Sequence, residues 1–353
     1  MYPALAVLEA WMSSSDTVLW VGGQGGMEAD LVARQGIPYR AIPAAGVHGV
    51  GLRALPRNLW LLLRGVFAAG RIVQEFKPDV LLFTGGFIAT PMAIAAARIP
   101  TLLYVPDIEP GLALKFLTYF ADAIGVTVEA SCRYFSSNKK VIVTGYPVRA
   151  DLTHWSVEKA RKFFELESGL PTLLVSGGSK GAHSINSALF SILPEVLEFA
   201  QVIHLSGKLD WEAAQATQAN LPENITRRYH PFPYLHAEMG AALRAADLAL
   251  TRAGASTLGE LPLFGLPAIL VPYPYAWRYQ KVNADYLAKL GAAVLLPDQE
   301  LQDHLLEKIS SLLQSQKQLQ SMRRAMQSLA HPQASSQLAD LLRQLGGTFG
   351  GTA

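Results

Sequence analysis

The chain has 353 residues, half of them hydrophobic and 16% charged, with 30 basic and 28 acidic side chains and a formal net charge of +2. At about 150 residues per domain this length predicts two domains, and the apolar share excludes a disordered chain. The near-neutral balance offers no electrostatic surface for duplex nucleic acid, so we expect no nucleic-acid partner. Because Cys132 is the single cysteine, intramolecular disulfides and multi-cysteine metal clusters are excluded, and the cytosol is the expected compartment.

The chain opens with a helical pattern that has Pro3 in its first turn, and no signal peptide is evident. A doubly wound domain normally opens with a strand. We therefore expect either an irregular fold at this end or a missing strand and turn before it. Two uncharged segments, 80–97 and 261–277, are interrupted by glycine or proline. Each therefore predicts strand, turn and helix rather than a membrane span.

Short β-branched or leucine-rich runs alternate along the chain with glycine turns and helical patterns. The predicted strands are 17–21, 79–83, 101–105, 140–144, 172–175, 201–205, 248–251, 268–271 and 293–296. This alternation predicts parallel sheets, and hence an α/β fold with two doubly wound, Rossmann-like domains. We expect domains over 1–148 and 149–345, with the last helices able to pack back on the first domain, and a frayed tail over 346–353.

Two turns of the second domain follow strands and open helices, where backbone N–H groups and the helix dipole can hold a phosphate. The first, Gly177-Gly178-Ser179-Lys180-Gly181, is neither a Walker loop nor a dinucleotide fingerprint. In the second, Ser256 and Thr257 could bind phosphate oxygens and Glu260 could accept from a ribose diol. Each turn alone could be purely structural, but the pair favours a nucleotide site.

Gln280 and Asn283 share a helix face and could bind sugar hydroxyls, although an ordinary exposed helix start explains them as well. The sequence contains no Asp-x-Asp pair, so we expect no metal and no other cofactor. Charge on a leaving diphosphate would then be stabilised by helix dipoles and by Arg149, Arg252 or Lys180.

The predicted helix 55–76 carries Arg57, Arg64 and Arg71 at seven-residue spacing, with bulky apolar residues between them. This pattern suits a helix that lies on an anionic bilayer. It equally suits a helix packed on the core with a basic solvent face, and the sequence does not decide between them.

As a set, these motifs resemble the family 28 glycosyltransferases of GT-B fold, specifically the MurG type. The resemblance extends over nearly the whole chain. It is carried by residues 2–6, 84–87, 145–149, 177–182, 252–260 and 280–283. The family implies two domains that face each other across a cleft. It also implies an inverting, metal-independent transfer of GlcNAc from UDP-GlcNAc to undecaprenyl-diphospho-MurNAc-pentapeptide (lipid I), in peptidoglycan synthesis at the inner face of the membrane.

Carried over by position, the resemblance also implies roles for single residues. The diphosphate would lie on Gly178–Ala182 and Ala255–Thr257, with Arg149 as a counter-charge. Glu260 would bind the ribose, and Gln280 the donor sugar. The second glycine loop, with Gly85 and Gly86, would lie on the acceptor side.

Three features depart from the family pattern. Its first glycine loop, which ends in a histidine that is a candidate base, has no counterpart here. Asp107 and Glu109, in a proline-bounded turn, are nearby carboxylates that could replace this base or simply shape the turn. Tyr279 stands where the family has a glutamine. These departures leave open a related UDP-sugar hexosyltransferase with another acceptor, or a non-catalytic UDP-sugar-binding protein.

Overall fold

The computed structural model describes residues 1–11, 16–24, 28–44, 55–178, 181–275 and 279–347. They form two compact units. The first unit is Met1–Pro147 together with the segment that begins at Gln333, and the second unit is Val148–Pro332. Within the described ranges, we find no helix with the length and apolarity needed to cross a membrane.

Helices and short strands alternate over residues 1–147. The strands are β1 (Trp20–Gly23), β2 (Tyr39–Ile42), β3 (Leu81–Phe83), β4 (Thr101–Val105), β5 (Ala123–Val126) and β6 (Val141–Val143). The helices are α1 (Tyr2–Trp11), α2 (Glu28–Arg34), α3 (Leu55–Phe76), α4 (Ala89–Ala95) and α5 (Leu112–Leu117), with a 3-10 turn at Glu129–Tyr134. All paired strands run parallel, as the alternation predicts. The uncharged segment 80–97 folds as a strand, a turn and a helix, as predicted.

The strands of the first unit lie in two sheets, β1-β2 and β3-β4-β5-β6, rather than in one continuous sheet. Among the described residues, β1 pairs only with β2 and β3 only with β4. A cavity of about 490 Å³ is lined by uncharged residues of α1, β1, α3, β3, α4 and the C-terminal helix Ala334–Gly347, together with neighbouring loop residues. The first unit is therefore an irregular form of the predicted doubly wound domain.

The second unit continues the alternation. Its strands are β7 (Thr172–Ser176), β8 (Gln201–Leu205), β9 (Tyr229–Phe232), β10 (Leu248–Thr251), β11 (Ala268–Leu270) and β12 (Ala293–Leu295). Its helices are α6 (Val157–Phe163), α7 (His183–Phe199), α8 (Trp211–Ala219), α9 (Glu223–Thr226), α10 (Met239–Ala245), α11 (Glu260–Phe264), α12 (Tyr279–Lys289), α13 (Leu301–Gln314) and α14 (Gln316–Gln327). Further 3-10 turns lie at Ala150–His154, Ala255–Leu258 and Asp298–Glu300.

The six strands of the second unit form one parallel sheet in the order β12-β11-β10-β7-β8-β9. The chain enters this sheet at β7, builds outward to β9, and then returns to β10 on the other side of β7. The strand order therefore reverses between β7 and β10. In open parallel sheets, ligands bind in the crevice outside the carboxyl ends of the strands at such a switch point.

The last helix, α15 (Ala334–Gly347), belongs to the first unit. Its buried Leu338 packs in one cluster with Tyr104 of β4. A Cβ atom at Gly125 of β5 would come within 2.7 Å of the Leu338 side chain, so glycine lets the helix approach the sheet. Arg343 donates hydrogen bonds of 3.1 and 2.9 Å to the carbonyl oxygens of Ala10 and Trp11 at the end of α1.

The C-terminal boundary of the second unit differs from the predicted one. The expected second domain extends to residue 345, whereas the observed unit ends at Pro332. Helices α13 and α14 stay with the second unit, and α15 is the helix that packs back on the first. The tail expected over 346–353 begins within α15, which includes Gly346 and Gly347, and residues 348–353 lie outside the described residues.

Candidate functional site

The first glycine turn lies at the carboxyl end of β7 and leads into the 17-residue helix α7. Gly178 and Gly181 have φ values of +83° and +81°, which favour glycine. The N–H of Gly181 donates to the carbonyl of Gly178 over 3.0 Å. A Cβ atom at Gly181 would lie 2.3 Å from the carbonyl oxygen of Ser206, so no other residue fits there without movement.

This turn presents the N-terminus of α7 at the carboxyl end of β7. The N-cap residue Ala182 has no side-chain oxygen to accept from the first-turn N–H groups. Those groups and the helix dipole favour an anion, which is the chemistry predicted for Gly178 and Gly181. Ser179 and Lys180, predicted to take part in the same contact, lie outside the described residues.

The second predicted turn follows β10, on the other side of the switch point. Its helix start is a 3-10 turn, Ala255–Leu258, and α11 begins only at Glu260. The hydroxyl of Thr257 donates to the carbonyl of Gly254 over 2.6 Å. This hydrogen bond holds the turn together, and the phosphate contact of Thr257 stays a prediction. Ala255 and Ser256 keep part of their surface exposed.

Arg252, predicted as a counter-charge for phosphate, is engaged within the protein. Its Nη1 donates to the Asp298 carboxylate and to the carbonyl of Val271, the latter over 3.3 Å. Its Nη2 donates to the Ser184 hydroxyl over 2.7 Å. The Asp298 carboxylate already neutralises this guanidinium, and the predicted contact of Arg252 with phosphate stays a prediction.

Glu260, Ser256 and Arg149 come together at the start of α11. Burial raises the pKa of the Glu260 carboxyl to about 7, and the hydrogen bond from Ser256 and the positive charge of Arg149 oppose this rise. Arg149 also forms an ion pair of 3.3 Å with Asp151. A carboxyl group in this setting can change its protonation state near neutral pH, and its ionised form can accept two hydroxyl hydrogens.

The two polar residues predicted to bind a sugar are placed differently from each other. Gln280 lies in the first turn of α12, and its Oε1 accepts from the N–H of Tyr273 over 2.8 Å. Asn283 is fully buried and donates to the carbonyl of Ala253 over 3.1 Å. Asn283 is thus engaged within the protein, and its contact with a sugar stays a prediction. Its amide holds the loop between β10 and the 3-10 turn.

A buried polar network supports the end of β8, against which Gly181 packs. Burial lowers the pKa of His204 to about 3, so its ring is neutral. The Oδ1 atom of Asn186 can only accept, so Nε2 of His204 donates to it over 3.0 Å, and Nδ1 accepts from Tyr229 over 2.7 Å. Asn186 then donates to the Ser206 carbonyl over 2.8 Å. Sequence reasoning missed this network, although a histidine within the apolar strand 201–205 was a usable signal.

The carboxyl end of β3 in the first unit carries Gly85 and Gly86, with φ values of +105° and +88°. A Cβ atom at Gly85 would lie 3.2 Å from the side chain of Leu114 in α5. These glycines therefore shape a tight connection to α4, and no charged side chain of the loop 84–88 accompanies them.

The two candidate base residues follow β4. Glu109 is only 4% exposed, whereas Asp107 keeps part of its surface open. A general base has to reach the proton that it removes, so the structure favours Asp107 over Glu109. Next to this turn, the hydroxyl of Tyr104 lies 2.8 Å from that of Thr127, and burial raises the pKa of Tyr104 well above its ordinary value.

Helix α3 exposes large apolar side chains. The exposed fraction is 56% for Trp60 and 76% for Phe67. The guanidinium of Arg64 stacks 4.7 Å from the Trp60 ring, and Arg57 and Arg71 are also exposed. Further large side chains are exposed on the same helix, on α4 and its preceding loop, and on α5 and the turn after it. With these, the apolar face consists of Leu59, Trp60, Leu63, Phe67, Phe87, Ile94, Leu112, Phe116 and Tyr119. The opposite side of α3 packs on the core of the first unit through Ala69, Ile72 and Val73, so both predicted roles of this helix stay open.

Comparison with known proteins agrees with this architecture. The model of the glycosyltransferase family 28 N-terminal domain matches residues 1–126, and that of the C-terminal domain matches residues 172–338. A relative from Roseiflexus sp. (strain RS-1) is 42% identical, and the match covers 93% of this chain and 84% of the relative. A relative from Desulforamulus reducens is 36% identical, covering 98% of this chain and 95% of the relative.

Both relatives are named UDP-N-acetylglucosamine--N-acetylmuramyl-(pentapeptide) pyrophosphoryl-undecaprenol N-acetylglucosamine transferase. The crystal structure of MurG from Acinetobacter baumannii is 29% identical, with a TM-score of 0.77 and coverage of 97% of this chain and 95% of that one. The predicted α/β fold class of GT-B type is thereby confirmed. With family models that match both units and relatives that are 42% and 36% identical, the chain belongs to glycosyltransferase family 28.

Proposed function

We propose that this chain is an inverting hexosyltransferase that moves GlcNAc from UDP-GlcNAc to undecaprenyl-diphospho-MurNAc-pentapeptide and so makes lipid II for peptidoglycan. The observation that carries this proposal is the crevice of the second unit. There the glycine turn of α7 and the Glu260 carboxyl beside Arg149 lie at the ends of β7 and β10. The names of the two relatives support the same reaction.

Three groups in this crevice match the parts of a UDP-sugar. The first-turn N–H groups of α7 bind the diphosphate, helped by the dipole of a 17-residue helix. The Glu260 carboxylate accepts hydrogen bonds from the ribose hydroxyls. Because Oε1 of Gln280 already accepts from Tyr273, its Nε2 amide is the group that donates to a hydroxyl of the donor sugar.

The transfer itself is a displacement at the anomeric carbon. The acceptor hydroxyl oxygen forms a bond to that carbon as the bond to the diphosphate oxygen breaks, and UDP leaves with the electron pair. The proton of the hydroxyl passes to a general base, for which Asp107 is our candidate. The α7 N-terminus and Arg149 stabilise the charge that develops on UDP, so we propose that no metal ion is required.

A lipid-linked acceptor requires contact with a membrane surface. The apolar face of the first unit offers aromatic and aliphatic side chains, and Arg57, Arg64 and Arg71 of α3 offer positive charge. This combination favours binding in the interface of an anionic bilayer. We therefore propose that the protein acts as a peripheral protein on the inner face of the cell membrane.

Calorimetric titration tests the donor site. We expect UDP-GlcNAc to bind without added metal and more tightly than UDP-glucose or UDP-galactose, with NAD as the unrelated control. Equal binding of the three UDP-sugars would overturn the assignment of GlcNAc. No binding of any UDP-sugar would overturn the site.

A turnover assay with lipid I in the presence of EDTA tests the reaction. Asp107→Asn should lower kcat by about 10²- to 10⁴-fold with little change in UDP-GlcNAc affinity. The control is Asp79→Asn, an exposed aspartate that precedes β3 at the amino end of the sheet. An unchanged kcat would remove Asp107 as the base. Donor binding without turnover of lipid I would favour another acceptor or a non-catalytic role.

A further inference from the structure

Arg252 and Asp298 form a largely enclosed ion pair, with side-chain exposures of 11% and 20%. The pair joins distant parts of the second unit. Arg252 follows β10, and Asp298 opens the 3-10 turn after β12. Ser184 lies in the first turn of α7, and Val271 directly follows β11. One guanidinium therefore contacts residues just after the carboxyl ends of β11 and β12, from its own position after β10, and the first turn of the helix that follows β7.

The hydrogen bonds form a closed arrangement. Arg252 donates to Ser184 over 2.7 Å, Ser184 donates to Asp298 over 2.8 Å, and Arg252 also donates to the same Asp298 oxygen. A further bond of 3.3 Å ties Arg252 to the Val271 carbonyl. The ring of Tyr273 lies 5.3 Å from the guanidinium carbon. A planar fork with several donors meets these partners together, which a lysine ammonium cannot do.

This arrangement spans the switch point of the sheet. Ser184 belongs to the helix whose N-terminus is the phosphate site on the β7 side, and Arg252 opens the loop that leads to Ser256 and Glu260 on the β10 side. The separation of the two sides is therefore fixed by hydrogen bonds among Arg252, Ser184 and Asp298. Moving Arg252 onto a ligand would leave the Asp298 carboxylate without its positive partner in an enclosed place, which is costly.

We infer that Arg252, Asp298 and Ser184 are a positioning cluster for the donor diphosphate, and that Arg252 is not itself a phosphate ligand. The inference rests on the proposed function, because it assigns the cluster to the UDP site. In this view the cluster holds the α7 N-terminus and the loop after β10 at the separation that one diphosphate spans. Loss of the cluster weakens the binding of ligands with a diphosphate more than the binding of ligands that stop at the ribose.

The variant Asp298→Ala separates positioning from direct binding because only a positioning role predicts a loss of UDP affinity. If Arg252 positions the turns, UDP binding should weaken by about 10- to 100-fold, since small displacements of binding groups have effects of this size. The affinity for uridine, which lacks phosphate, should change by less than about threefold. If Arg252 binds phosphate directly, removing the competing carboxylate should leave UDP binding unchanged or make it tighter.

Calorimetry with UDP and with uridine supplies both readouts, on the full chain. Arg252→Lys should weaken UDP binding as Asp298→Ala does. The affinity of the double variant for UDP should not fall below that of the more affected single variant, because both changes break one cluster. The matched control is Asp285→Ala, which removes the acid of an exposed ion pair with Lys281 on α12. This change should leave the affinities for UDP and for uridine unchanged.

The outcomes distinguish this inference from the proposed function. If the wild-type chain binds UDP and Asp298→Ala binds it equally or more tightly, the positioning role is overturned while the donor site stands. If Asp298→Ala weakens UDP and uridine by the same factor, the cluster acts on the whole fold and not on the diphosphate, which also overturns the inference. If the wild-type chain binds neither ligand, the proposed function fails and the inference fails with it.

Discussion

The carboxyl ends of the strands are built differently in the two units. In the second unit, charged side chains gather there, Glu260 near Arg149 and Arg252 with Asp298. In the first unit, the Tyr104 hydroxyl is buried and donates to the carbonyl of Gly145 over 3.2 Å. The first unit has Asp107 and Glu109 after β4, and it also exposes the apolar face on α3, α4 and α5 and their adjoining turns. A polar crevice suits a small anionic donor, whereas an apolar face suits a lipid-linked acceptor.

The difference shows how each kind of surface is specified. The donor crevice depends on backbone geometry that only glycine permits and on a few polar side chains held by other polar groups. The proposed membrane contact depends on the amount and position of apolar surface. We therefore expect single substitutions to damage the crevice severely and the apolar face only gradually.

The largest effect is expected from Gly181→Ala. The new Cβ atom would meet the Ser206 carbonyl oxygen at 2.3 Å, and the residue would keep a φ of +81°. The turn has to shift, so we expect a loss of about 3 kcal/mol in the free energy of unfolding and a loss of about 100-fold in UDP affinity. Denaturant unfolding and calorimetry measure the two quantities.

Gly178→Ala is the matched control. Its φ of +83° is nearly the same, but nothing lies within 4 Å of the position of its Cβ atom. It should cost only about 1–2 kcal/mol of backbone strain. Equal losses at the two glycines would show that the contact with Ser206 does not limit the turn.

Glu260→Ala should weaken UDP binding by roughly 1–3 kcal/mol, because a carboxylate that accepts from ribose hydroxyls is lost. The affinity for uridine should fall by a similar factor, since uridine carries the same ribose. Glu212→Ala, an exposed glutamate of α8, serves as the control. Unchanged affinity would remove Glu260 from the site.

The raised pKa of Glu260 gives a pH dependence with a definite sign. The folded protein holds this proton up to about pH 7, whereas the carboxyl in the unfolded chain ionises near its ordinary pKa of 4.5. The native state therefore binds more protons between these values, and stability should fall as pH rises through that window. Affinity for UDP-GlcNAc should rise, by at most about tenfold between pH 6 and pH 8, as the carboxylate forms.

Glu260→Gln is the comparison for both measurements. Titration calorimetry and denaturant unfolding across pH 4 to 8 should show flatter curves for the variant than for the wild type. Parallel curves would mean that another group causes the dependence.

A smaller and graded effect is expected on the apolar face. Replacing Arg57, Arg64 and Arg71 with glutamine should reduce binding to anionic vesicles by about tenfold at low salt, with a smaller difference at high salt. Cosedimentation at two salt concentrations measures this. Wild-type binding by the triple variant would show that these arginines do not contact lipid.

The donor crevice was predictable where its signal is local. Gly178, Gly181 and Glu260 stand in short motifs that follow predicted strands, and the strands 101–105, 201–205 and 248–251 have the predicted bounds. Arg252 shows where local reasoning fails. Its partner Asp298 is 46 positions later in the chain, and no local pattern joins the two.

Strand β9 was not predicted, and the start of β1 was predicted at a different residue, each for a local reason. Strand β9 (Tyr229–Phe232) contains Pro231, which argues against a central strand. The structure places β9 at the edge of the sheet, where a proline is tolerated. Strand β1 begins at Trp20, three positions after the predicted start at residue 17. Short strands have few residues over which a pattern can fix their ends.

The return of α15 to the first unit has a consequence for synthesis on the ribosome. Residues 1–147 leave the ribosome before the second unit, yet Leu338 and Leu342, which complete the cluster around Tyr104, are made after it. The second unit is continuous in sequence and can fold as soon as residue 332 has emerged. The first unit, although translated before the second, is thus completed after it, and until then the side of its sheet that α15 covers is open to chaperones.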